Sequence, residues 1–136
     1  MKEIELKAQE LLGHCEVITL AAIDEQGFPR PVPLSGIKNE GIKKYWFATG
    51  TSSDKTRFFQ KNPKAGLCFY EGSNSVVLTG MIKIVEDEEV KKMLWQDWFI
   101  EHFPEGIHDP EYCILEFLAE KGTFWIDGVF VKDRLS

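Results

Sequence analysis

The residues best suited to chemistry lie in the run Trp46-Phe47-Ala48-Thr49-Gly50-Thr51-Ser52-Ser53-Asp54-Lys55. An aromatic strand there ends in a hydroxyl-rich loop that opens a helix. The first turn of a helix carries free N–H groups and partial positive charge, so it suits a phosphate. Thr51, Ser52 and Ser53 add hydroxyl donors, and Lys55 adds a full charge. The same residues also suit a plain capped helix with a solvated lysine, and composition leaves both readings open. A second run, Gln26-Gly27-Phe28-Pro29-Arg30-Pro31-Val32-Pro33, holds an arginine whose guanidinium can bind a phosphate bidentately. Its prolines leave backbone carbonyls unpaired, free to face the polar edge of a ligand ring. Trp95, Trp98, Phe99, Phe103 and Trp125 form a third group. Flat cofactors pack on aromatic faces, and so do protein cores and interfaces. His14, His102 and His108 show neither metal spacing nor a partnered nucleophile, so no catalytic residue and no metal site is assigned.

These residues need elements to position them. Residues 3–12 read as a short amphipathic helix stopped by Gly13. Residues 15–23 and 30–37 read as a hairpin around Asp24-Glu25-Gln26-Gly27. Pro31 and Pro33 alternate, so both missing N–H groups point the same way, as on an edge strand or a barrel rim. Residues 38–41 read as a turn and 44–48 as a third strand. Ser53 reads as the N-cap of a helix ending at Asn62-Pro63. Residues 65–70 and 75–85 read as strands four and five, with Gly80 marking a bulge or a close approach. The longest helix is predicted over residues 87–103. A sixth strand follows over 112–118, then a short hairpin of 123–126 with 129–131. This order points to a small antiparallel barrel or sandwich in one domain spanning residues 1–136.

Composition narrows the function further. The chain has 136 residues, 43% of them hydrophobic and 12% aromatic, which excludes disorder. A net charge of -6 argues against a general binder of nucleic acid or of anionic membranes. No apolar run is long enough to span a bilayer. Cys15, Cys68 and Cys113 are far apart, lack metal spacing and read as reduced thiols, so a reducing cytoplasm is the expected compartment.

The chain resembles the flavin-binding split-barrel superfamily related to pyridoxamine 5'-phosphate oxidase, and within it the general stress protein branch. The resemblance rests on Gly27-x-Pro29-Arg30-Pro31, Trp46-Phe47-Ala48-Thr49, Ser53-Asp54-Lys55, Asn62-Pro63, Thr79-Gly80, Leu94-Trp95, Phe103-Pro104-x-Gly106, Asp109-Pro110 and Phe124-Trp125, in the family's order across nearly the whole chain. It implies a mainly β, α+β fold: a six-stranded antiparallel split β-barrel with two to three flanking helices. It also implies a homodimer with FMN in two clefts between subunits. The row Tyr45-Trp46-Phe47 and the apolar fifth strand agree with a buried interface.

Carried over, Arg30, Pro31, Val32 and Pro33 would lie along the cofactor, with Phe47, Ala48 and Thr49 beside them. Ser52, Ser53 and Lys55 would take the phosphate. Ser75, Val76 and Trp125 would approach from another side. At Asp54 and Ser35 the true oxidases carry a basic residue and a lysine. Their substrate-binding C-terminal segment is cut short here, so oxidation of pyridoxamine phosphate is not expected. The expected function is an FMN-dependent oxidoreductase of unassigned substrate. The alternatives are a non-catalytic flavin-binding stress protein, or a deazaflavin in the same cleft.

Overall fold

The computed structural model describes residues 2–136. Its elements are α1 (Glu3–Leu12), β1 (Val17–Ile23), β2 (Pro29–Ser35), β3 (Lys38–Glu40), β4 (Lys44–Gly50), α2 (Asp54–Lys61), β5 (Lys64–Glu71), β6 (Asn74–Val85), α3 (Glu88–Leu94), two 3-10 turns (Asp97–Glu101 and Gly106–His108), β7 (Tyr112–Ile126) and β8 (Val129–Arg134). The strands form one antiparallel sheet in the order β2-β1-β5-β6-β7-β4-β3, with β8 added to β7. The two outermost strands, β2 and β3, are consecutive in the chain. Gly36 and Ile37 therefore tie the sheet's edges together, giving a split barrel of eight strands rather than the expected six.

Alternation along the strands builds the interior. Ile18, Leu20 and Ala22 of β1, Leu67 and Phe69 of β5, and Tyr45 and Phe47 of β4 point inward and are buried. In β7 the inward set changes parity. Leu115, Phe117 and Ala119 face the core first, then Phe124 and Ile126. The cause is a bulge at Glu120, where the β6–β7 register slips between Thr79 and Gly80. One extra residue flips every later side chain to the other face. Gly80 makes this possible: a Cβ there would lie 2.0 Å from the Leu118 carbonyl oxygen. The same flip turns Trp125 outward.

A second layer covers the outer face of β4 and β7. Trp46 points out of the barrel and is buried with Leu94, Phe99, Phe103, Tyr112 and Ile114. Trp95 packs edge-on against Phe99 and Tyr112, at 5.4 and 5.2 Å between ring centroids. Tyr45, Trp46 and Phe47 are thus all covered within the chain, so that row requires no partner subunit.

Three local expectations change. Residues 38–40 pair with residues 44–46 as strand β3, although their composition reads as a turn. The helix predicted over 87–103 stops at Leu94, because Trp95 is extended (φ -61°, ψ 136°) and its ring is committed to the aromatic layer. Strand six and the first arm of the last hairpin are one continuous strand, β7. Asp87 caps α3 by accepting from the N–H of Glu89 at 2.9 Å and of Val90 at 3.3 Å. Replacing it with alanine is expected to lower stability by about 1 kcal/mol in urea unfolding.

Candidate functional site

Strand β2 is an edge strand, as its prolines predict. Pro31 sits opposite Ala21, and Pro33 opposite Thr19. Neither has an N–H for the ladder, so both occupy positions whose backbone groups point away from β1. The free edge therefore presents their carbonyl oxygens without competing donors at those residues.

Close to this edge is the start of α2. Ser53 occupies the N-cap position, with φ -61° and ψ 145°, yet its side chain makes no capping bond. Its Oγ instead accepts from Lys55 Nζ at 2.9 Å. Lys55 is partly buried, and that burial pulls its pKa down, while Cys113 and Asp54 oppose the shift. Among the described residues no carboxylate forms an ion pair with Lys55. Asp54 turns instead to Arg57, at 3.0 Å.

Two adjoining hollows meet at Lys55. The smaller, of about 220 Å³, is walled by Arg30, Pro31, Val32, Ser53, Asp54 and Phe58 in addition to Lys55. Arg30 lies over the Phe58 ring, 5.3 Å from its centroid, and reaches Asp24 at 3.3 Å. Backbone N–H groups of Phe28 and Gln26 hold the Asp24 carboxyl below its ordinary value. The larger hollow, of about 450 Å³, is walled by Pro33 to Ser35 and Ile37, by Ala48 to Gly50, and by Trp98, Phe99, His102, Phe103 and Glu111. That volume falls in the usual range for a small-molecule site.

The structure therefore brings together Arg30, Pro31, Val32, Pro33, Ala48, Thr49, Ser53 and Lys55. It does not bring in the rest of the expected set. Phe47 and Val76 are fully buried, with side chains in the barrel interior. Ser52 is taken by Glu111, which accepts from its N–H at 3.1 Å and from its hydroxyl at 2.7 Å. Thr51 likewise donates to the carbonyl of Pro110 at 2.9 Å. Ser75 and Trp125 face each other across β6 and β7 and wall neither hollow.

Glu111 and His102 are among the wall residues to which the sequence reading gives no role. Nothing in the sequence links Glu111 to Ser52, because the pairing depends on β4 lying beside β7. A wider groove of about 580 Å³ runs over the outer face of β1, β5 and β6, past Ala21, Gly66, Thr79 and Met81. It is mostly apolar, so volume alone does not mark the site.

The family model described as pyridoxamine 5'-phosphate oxidase matches residues 4–126. The chain belongs to the pyridoxamine 5'-phosphate oxidase family. Among solved structures it is similar to a Clostridium acetobutylicum protein related to general stress protein 26 of Bacillus subtilis. Identity there is 29% and the TM-score 0.86, over 98% of this chain and 95% of that one. General stress protein 26 of Bacillus anthracis shares 16% identity, with a TM-score of 0.78, over 97% of this chain and all of that one. A heme-binding protein from Mycobacterium smegmatis shares the fold alone, at 14% identity and a TM-score of 0.78. It is matched over 98% of this chain and 59% of its own length. No curated protein sequence matches. In this family member, no helix among the described residues is long and apolar enough to cross a membrane. All three cysteines are free thiols.

Proposed function

We propose that the chain binds FMN as a homodimer and acts as an oxidoreductase. The observation that carries this reading is Lys55, a part-buried cation on the wall of both hollows. Its one side-chain hydrogen bond among the described residues goes to Ser53. A buried cation without a counter-charge is costly, and a phosphate between Lys55, Ser53 and Arg30 offsets that cost. The carbonyl-lined edge of β2 would accept from the polar rim of the ring, and Thr49 and Ala48 would flank it. Asp54, whose charge would oppose a phosphate, is engaged by Arg57. Bound FMN supplies the redox chemistry, and the protein supplies binding, orientation and shelter from water.

The homodimer is supported by apolar side chains on the outer faces of β6, β7 and β8. Val77, Met81, Leu118, Trp125 and Phe130 are 39% to 52% exposed. A second copy seated there would cover them and bring Trp125 and Ser75 toward its neighbour's site.

The test is a titration of cofactor-free protein with FMN, followed by flavin fluorescence and paired with sedimentation. Saturable quenching at one FMN per chain, at twice the chain mass, is the expected result. A folded protein that leaves flavin emission unchanged refutes the reading. Reduction of the loaded protein by NADH or NADPH then separates an oxidoreductase from a flavin store.

A further inference from the structure

Two chemically different groups of residues wall the larger hollow. One is Lys55 with the edge of β2. The other is an aromatic wall from the 3-10 segment, where Trp98 stands edge-on to Phe99 at 4.6 Å and to His102 at 6.0 Å. Trp98 is 49% exposed, so much of its surface is available to a ligand. Phe99 and Phe103 are buried behind it. Such a wall favours a flat ring.

Glu111 is also on the wall, and two residues fix it there. Ser52 binds both carboxylate oxygens, through its N–H and its hydroxyl. Gly50 leaves the room: a Cβ at that position would come within 2.9 Å of Glu111 Oε2. The carboxylate is therefore a fixed feature of the hollow. Lys55 is the one lysine or arginine among the wall residues. In the flavin reading, on which this inference rests, Lys55 is already committed to the cofactor phosphate.

We propose that the aromatic wall takes a planar organic substrate that carries no phosphate, and that Glu111 is the residue that turns a phosphorylated one away. A second phosphate entering this hollow meets no lysine or arginine of its own. It faces the charge of Glu111, a solvent-exposed residue, and at low salt like charges at that distance repel. An uncharged ring meets no charge repulsion from Glu111 and gains the aromatic contact.

The matched probes are 1-naphthol and 1-naphthyl phosphate, measured by equilibrium dialysis against FMN-loaded protein at pH 8 and low salt. The expected result is binding of 1-naphthol about tenfold or more tighter than its phosphate. Glu111→Gln, which keeps the shape and removes the charge, should close most of that gap. In the wild type, raising salt from about 20 mM to about 0.5 M should narrow it as well, so the idea remains testable if the variant misfolds. Equal or tighter binding of the phosphate overturns the proposal, as does a gap that neither Glu111→Gln nor salt reduces. Binding of neither probe overturns it too. FMN loading is read separately from flavin absorbance. A protein that never loads FMN refutes the cofactor reading, whereas a loaded protein indifferent to the phosphate refutes only the role of Glu111.

Discussion

Replacing Lys55 with alanine is expected to weaken FMN binding by about tenfold to a hundredfold, the usual worth of a hydrogen bond to a charged group. Lys55→Arg should restore part of the loss, because it keeps the charge and changes the geometry. Fluorescence titration of both variants gives the answer, and an unchanged affinity for Lys55→Ala refutes the phosphate assignment. The pH dependence carries a sign. Burial lowers the pKa of Lys55 in the folded chain below that of an exposed lysine. Between the lowered and the ordinary value the unfolded chain binds more protons, so this group makes stability rise with pH across that interval. A bound phosphate favours the protonated lysine. FMN affinity should therefore fall as pH rises through the lowered pKa, and the alanine variant should lack that limb.

Gly80→Ala should be the most damaging small change in the sheet, at about 3 kcal/mol or more. The Cβ would lie 2.0 Å from the carbonyl oxygen of Leu118 and 2.9 Å from the Cα of Ala119. Both are backbone atoms of β7, so relief requires the strand itself to move. Gly72→Ala gives the contrast. Gly72 has φ +59° and nothing within 4 Å of the added Cβ. Its cost is the left-handed backbone alone, about 1 to 2 kcal/mol. Urea unfolding of the two variants side by side decides the matter. Equal midpoints would mean that the bulge tolerates a methyl group and that β7 yields at Leu118 and Ala119.

Local chemistry made much of the fold legible. The alternating prolines marked β2 as an edge, and a glycine inside an apolar strand marked the β6–β7 bulge. Ser53 and Lys55 were legible as polar neighbours at the start of a helix, although a plain capped helix fitted the same loop, and the structure brings them together at 2.9 Å. What stayed hidden depends on partners distant in the chain. Strand β3 is three polar residues that become a strand only because β4 offers its edge. The helical periodicity of residues 87–103 continues through Trp95, and only the rings of Phe99 and Tyr112 explain the break. Lys121 and Gly122 read as a break between strands, yet β6 and β8 hold that stretch in place on both sides. The interior orientation of Phe47 and Val76 follows from which face each strand buries, and a single apolar run does not reveal that.

The β4–β7 ladder joins Lys44 to Leu118 and Gly50 to Tyr112, bringing opposite halves of the chain together. The walls around Lys55 draw on both halves, with Glu111 just before β7 and Ala48 to Gly50 from β4. Pairing of such distant segments comes late in folding, because a long loop must close before any contact rewards it. The hollow is therefore expected to form only after the early, hairpin-built part of the folding reaction. A ligand held there is expected to leave the refolding rate nearly unchanged and to slow unfolding, so occupancy should lengthen the lifetime of the native state without helping a new chain to reach it.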